Sequence, residues 1–340
     1  MNRPLAVLLL CTLLCGVASA APAHTIRVDW AGSGDFATIQ DALDAAAAGD
    51  AVLVHPGTYS GGGNHDLDFA GKDIVLMSLS GMDATVIDML DNYDRGFCFV
   101  SGETPLAIVD GFTITNANAG GGAGFYCTDS SPTVRNCRFV NCYGHGDHHT
   151  EGCGGAGALV RSSSLIENCI IEHNWAHCCV GGLATYSSNI TIRNCVFASN
   201  GDSWEGRAAV DVRYSSAATI EGCTFLNNPG GGVSIGAGST ASISGCTFVG
   251  NASGYPVIRV DSEYASGIEI SRSVFAFNNS SAPVECGSIG PDISSCCFFE
   301  SGADSLCGSS SGELNLFEDP RFCGFYEGDY SLCSNSPCLP

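Results

Sequence analysis

The chain has 340 residues, 45% of them hydrophobic, with 35 acidic against 13 basic side chains and a formal charge of −22. So acidic a protein, with Lys72 as its single lysine, has no basic face for RNA or DNA, and nucleic-acid binding is excluded. Its partners are expected to be neutral, cationic or bridged by metal, and its 44 glycines point to a chain of many turns.

Residues 1–20 read as an export signal: Asn2 and Arg3, an apolar run from Leu5 to Leu14, then Ala18-Ser19-Ala20 as a small-residue cleavage site. Lipid attachment at Cys11 or Cys15 is disfavoured, because Leu10 and Leu14 stand where a small residue is normally wanted. Losing Arg3 leaves 12 basic residues against 35 acidic ones, a charge of −23. No other stretch approaches the roughly 18 apolar residues that span a bilayer. The mature protein is therefore expected outside the cytoplasm, secreted or at the cell surface, with 18 of its 20 cysteines where disulfides persist.

Residues 24–95 read as an N-terminal cap and first irregular turns. Ile39, Ala42, Leu43 and Ala46 fall at helical spacing, Thr38 with Asp41 makes a capping pair, and Gly49 follows the last turn. A strand from Ala51 to Val54 and a turn at His55-Pro56-Gly57 come next. An amphipathic helix laid over a first coil would hide its open edge.

From residue 96 to 300 a short phrase recurs: VDGFTI, VRNCRF, IENCII, IRNCVF, IEGCTF, ISGCTF, ISRSVF, ISSCCF. Anchored on its fourth residue, the copies sit at Phe112, Cys137, Cys169, Cys195, Cys223, Cys246, Ser273 and Cys296, at intervals of 25, 32, 26, 28, 23, 27 and 23 residues. Such periods mark a stacked array. Three positions before the anchor stand only Val or Ile; two after it stand Ile114, Phe139, Ile171 and then Phe197, Phe225, Phe248, Phe275 and Phe298. Gly or Asn precedes the anchor in the first six copies, where a sharp bend is expected. Five positions after it, Asn174, Asn200, Asn228, Asn251 and Asn278 form an amide column. The expected architecture is an all-β solenoid of parallel strands, about ten turns at roughly 4.8 Å each. Two positions before the anchor, Asp110, Arg135, Glu167, Arg193 and Glu221 alternate in charge. That alternation reads as a register device, because a slip by one turn would set like charges together.

Two loops concentrate the unusual chemistry. One runs from Cys142 to Cys153 with His145, Asp147, His148, His149 and Glu151; the other runs from Glu172 to Cys179 with His173, Trp175 and His177. His145 and His177 both fall eight positions after their anchors, which would bring the loops side by side, with Asp202, Trp204 and Glu205 in the next. His145, Asp147, His148, His149, Glu151, His173 and His177 are candidate ligands for Zn²⁺ or Ca²⁺. Trp175 and Trp204, with Asp202 and Glu205, are candidate carbohydrate-binding groups. The plain alternative is an exposed polar loop stapled by Cys142–Cys153. The column cysteines read as buried, inert thiols. In the Cys-rich closing turn, 301–340, Cys323, Cys333 and Cys338 read as members of a disulfide set, with Cys307 a further candidate and the pairing open.

The string TIQDALDAAAAGDAVLVHPGTY, followed by GKDIVLMSLSGMDATVID and the IxNCxFxxN phrases, resembles the secreted bacterial right-handed parallel β-helix proteins of the pectin-lyase-like superfamily. The likeness covers roughly residues 25–338. It implies the fold without fixing an activity. The QDTL-like and DFIFG-like strings of pectin methylesterases do not occur, and of the polygalacturonase elements only Gly144-His145-Gly146 has a match. The segment 317–340 resembles the closing turn of bacterial relatives that often continue into a sorting domain, so the chain is expected to be a fragment or to lack that domain. Three readings follow. The first is a monomeric protein that binds an extracellular polysaccharide or cell-surface glycan, with cleavage as a lyase or glycoside hydrolase as its enzymatic form. The second is a non-enzymatic adhesion spacer, and the third a metal-dependent hydrolase using the His-rich loops.

Overall fold

The computed structural model describes residues 23–90, 92–146, 152–177, 180–202, 207–236, 238–251, 254–260, 265–285, 290–301 and 314–339. The export signal and Cys307 lie outside these residues, as do Asp147, His148, His149, Glu151, Cys178, Cys179, Trp204 and Glu205.

The chain winds into a parallel β-solenoid whose strands form three long sheets and one short one. Sheet A has eleven strands, from Thr25–Val28 to Asp292–Ser294; sheet B has ten, from Gly57–Ser60 to Cys297–Phe299; sheet C has eight, from Leu67–Asp68 to Ile258–Val260. Sheet D, inserted between B and C in the middle coils, has four: Asn118–Gly120, Tyr143–His145, Trp175–Ala176 and Gly201–Asp202. Among the described residues one α-helix occurs, α1 (Ile39–Ala45); it starts at Thr38, whose hydroxyl accepts from the Asp41 amide, and it buries Ile39, Ala42 and Leu43 in the common core. It stops at Ala45, before Gly49, because Ala46 is already extended.

Register follows the sequence columns. Val134 pairs with Val109 and Ile166, and the ladder continues through Ile192, Ile220, Ile243, Ile270 and Ile293. The Phe197, Phe225, Phe248, Phe275 and Phe298 rings stack with centroids 4.7–4.9 Å apart. Each such pair contributes about 0.5–1.5 kcal/mol beyond its buried area. The bend between sheets A and B takes positive φ at Gly111, Asn136, Asn168 and Asn194. At the next bend the buried amides connect in series: Asn174 donates to Asn200 Oδ1, Asn200 to Asn228 and Asn228 to Asn251, at 3.0, 3.3 and 2.9 Å. On the outer side of sheet A, Arg135 meets Asp110 at 2.8 Å, and Arg193 meets Glu167 at 3.5 Å and Glu221 at 3.3 Å.

The anchor thiols are free and buried, and each donates to the carbonyl two residues before it at 3.2–3.4 Å. Ser273 fills the same role with its hydroxyl, at 2.9 Å from the Ser271 carbonyl. Burial pushes the Cys137 thiol well up and the Cys296 thiol up to about 11, so these two thiols at the ends of the column stay protonated and unreactive.

A further column was not singled out from the sequence. Ser162, Ser188, Ser216 and Ser239 stand seven positions before their anchors, and each hydroxyl from Ser188 onward accepts the amide of the preceding Ser at 3.0–3.1 Å. The closing segment also behaves differently from a simple last turn. Its Phe322–Gly324 and Asp329–Leu332 strands form an antiparallel pair, and Leu316, Phe322, Phe325 and Leu332 pack on the outer residues Val249, Val274, Ala276 and Cys297 of sheet B. Two disulfides pin this segment, Cys297–Cys338 and Cys323–Cys333. Cys297 points outward because side chains alternate along a strand and its neighbours Cys296 and Phe298 face the core.

Candidate functional site

Sheet D sets the chemistry of one flank. Its strands pair Asn118 with Tyr143, Tyr143 with Trp175 and Trp175 with Gly201, so these positions stack in one outward column six residues after their anchors. The intervening Ala119, Gly144 and Ala176 face inward and are buried, as alternation requires. Small residues are forced there by closeness: a Cβ on Gly144 would lie 2.7 Å from the Gly154 carbonyl oxygen.

Trp175 is 45% exposed. Its ring lies over Gly201, where a Cβ would meet it at 2.8 Å, and Pro229 of the next coil borders the same spot. The side-chain-free position therefore makes the seat for the indole. Beside the column runs a second outward row. His145 follows Gly144, the partner of Ala176, and His177 follows Ala176 with its amide donating to the Gly144 carbonyl at 2.9 Å, so the two histidines occupy neighbouring coils. His145 Nε2 hydrogen-bonds Asn118 Oδ1, and its ring is held between Tyr93, stacked at 5.6 Å, and the edge of Tyr143 at 4.7 Å. Tyr93 and Trp175 are exposed, while Asn118, Tyr143 and His145 are half-buried. The result is a strip of rings and hydrogen-bonding groups across consecutive coils.

His173 lies apart from this row. It is the positive-φ residue at the bend before Asn174, and its Nδ1 is 4.0 Å from Glu172. Among the described residues, His145, His173 and His177 do not gather into a group of three metal-ligating side chains. The other expected ligands, Asp147, His148, His149 and Glu151, fall outside the described residues, as do Trp204 and Glu205; Asp202 takes the register position of Ala176. The Cys142–Cys153 staple is overturned: Cys142 is a free thiol that burial pushes up to about 12, whereas Cys153 is disulfide-bonded. Cys142 turns into the core because it holds the inward position where the Asn column runs in later coils, and Asn174 Oδ1 accepts its amide at 2.9 Å.

On sheet C, Asp211 is buried and paired with Arg213 Nε at 2.7 Å. Burial raises its carboxyl and the guanidinium opposes that rise. Tyr186 stacks on Tyr214 at 5.4 Å, and burial pushes its phenol up to about 12. This pair ties the outer face of sheet C together.

Asn118, Tyr143 and Tyr93 were not identified as site residues from sequence. The signal for the first two was present, since the offset of six residues that places Trp175 also places them. Tyr93 carries no such mark, because it precedes the regular repeats.

A family model for the right-handed β-helix region matches residues 88–248 and 156–319, which together take in more than half of the chain. No curated protein sequence matches. Among solved structures, a rhamnogalacturonan lyase is 15% identical with a TM-score of 0.39, over 83% of this chain and 75% of that one. The catalytic unit of a thermostable GH87 α-1,3-glucanase from Streptomyces thermodiastaticus is 14% identical with a TM-score of 0.38, over 82% and 64%. A pectin methylesterase from carrot is 13% identical with a TM-score of 0.36, over 79% and 91%.

Proposed function

The chain belongs to the right-handed β-helix family, and on that scaffold we propose that the sheet D flank binds an extracellular glycan. The observation that carries this reading is the register of Tyr143 with the exposed Trp175, aromatic residues at paired positions on adjacent strands. Adjacent strands lie roughly 4.8 Å apart, so neighbouring coils present aromatic side chains on one flank. A sugar presents an apolar C–H face and a rim of hydroxyls; the rings take the first, and Asn118 and His145 offer donors and acceptors to the second. A neutral glycan also suits a chain of charge −22, which repels polyanions unless a cation intervenes. Export to the cell exterior and a monomeric state belong to the same reading.

The test is retention on a glycan array followed by calorimetry on the glycan retained. Trp175→Ala should weaken binding about tenfold, a loss near 1.4 kcal/mol, with the far-ultraviolet circular dichroism unchanged because the indole lies outside the core. Retention of no glycan would favour the spacer reading. Release of new reducing ends during the incubation would add cleavage to binding.

A further inference from the structure

At the N-terminal end of the same flank, residues from two consecutive coils converge outside the strip described above. His65 and Asp66 lead into the sheet C strand Leu67–Asp68, and Asp94 precedes the next one, Phe97–Phe99. Leu67 is in register with Phe97, and the Asp66 amide donates to the Arg95 carbonyl at 2.6 Å, so the two approach segments run side by side. His65 Nδ1 lies 3.0 Å from Asp66 Oδ2 and 3.7 Å from Asp94 Oδ1, and one donor atom from each of the three residues lies within 4.8 Å of the others.

We propose that His65, Asp66 and Asp94 form a binding site for a divalent transition-metal ion, with Zn²⁺ the best match to the donors. Bonds of roughly 2.0–2.2 Å in a tetrahedron set neighbouring donors about 3.4 Å apart, which the 3.0 and 3.7 Å separations bracket. One imidazole with two carboxylates is a borderline set; an all-oxygen site would suit Ca²⁺ better.

The surroundings prepare the site. Asp66 Oδ1 accepts the Arg95 amide at 3.3 Å, which leaves Oδ2 facing His65. Asn64, next to His65, is buried and fixed by the Ile39 amide at 3.0 Å and the Ser60 carbonyl at 3.2 Å. These contacts orient the Asp66 carboxylate and anchor the chain beside His65. The charge is also uncompensated by a permanent cation. Arg95, beside Asp94, directs its guanidinium to the Gly120, Gly121 and Gly122 carbonyls and over the Tyr126 ring at 5.0 Å. Among the described residues no Arg or Lys forms an ion pair with Asp66 or Asp94. With side chains 30%, 49% and 28% exposed, three protein ligands leave a position open to water or an incoming oxygen ligand.

The experiment uses the full chain, stripped with chelator, in calorimetric titrations with ZnCl₂ and with CaCl₂ at pH 7. Zn²⁺ should show a binding event that weakens at least tenfold in His65→Gln and in Asp94→Asn, persists in a His148→Ala, His149→Ala double variant, and exceeds Ca²⁺ affinity at least tenfold. Metal-free melting temperatures of the two single variants should match the parent. Zn²⁺ binding untouched by both single variants, or abolished in the double variant, would overturn the site; tighter Ca²⁺ binding would overturn its assignment to a transition metal. Glycan retention is not read in this assay, so the site and the glycan reading fail separately.

Discussion

Asn200 shows how much one side chain carries in a stacked fold. Its Oδ1 accepts the Asn174 amide at 3.2 Å, and its Nδ2 donates to the Ile171 carbonyl at 2.7 Å and to Asn228 Oδ1 at 3.3 Å, all away from water. An alanine there leaves backbone groups of the coil before it unpaired in the interior, each at a cost of about 1–3 kcal/mol. Asn200→Ala should therefore lower stability by roughly 2–4 kcal/mol in chemical denaturation; a loss below 1 kcal/mol would mean that the amide column is not structural. This residue was legible from sequence because each coil repeats the same local problem at the same offset. The Ser162 to Ser239 column answers to the same rule, seven residues before the anchor, but serine is common in turns and its recurrence is less conspicuous than that of asparagine.

At the scale of elements, sheets A and B were readable and sheets C and D were not. The A-to-B bend has constant length, so Ile, Cys and Phe recur in fixed phase, whereas the connection from B to C varies and shifts the phase of everything after it. Sheet D adds strands of two or three residues, Trp175–Ala176 among them, too short for any alternation to show. His65 and Asp94 are 29 residues apart in coils without the repeated phrase, so nothing in the sequence joined them. The cap is an element with its own pH dependence. Asp29 is held low by the Ser33 hydroxyl and the Ala31 amide, and Asp50 by the His24 and Ala47 amides. A carboxyl depressed in the folded state stabilises above its unfolded value and loses that contribution as pH falls through the folded value. Lowering pH from 5 towards 3 should therefore loosen the cap first. Hydrogen exchange should rise in residues 24–50 before residues 189–249; simultaneous loss, or loss in the reverse order, would contradict this.

The whole molecule is a stack closed at one end by α1 and pinned at the other by covalent bonds. Cys297–Cys338 closes a separation of 41 residues, worth about 4 kcal/mol in the chain-entropy account. Reduction should release the closing segment from Val249, Val274 and Ala276, seen as increased binding of an apolar dye with little change in far-ultraviolet circular dichroism; a collapse of the β signal would show the pin to be essential to every coil. Between these ends, stacking turns a single residue choice per coil into an extended surface, and the sheet D strip is where that surface carries rings. The decisive measurement is a fluorescence titration of a Trp30→Phe, Trp204→Phe variant, in which Trp175 is the remaining indole, with a glycan that calorimetry shows to bind. Saturable change in Trp175 emission with the calorimetric Kd is the predicted result, and saturable heat with unaltered emission would place the sugar elsewhere and contradict the account.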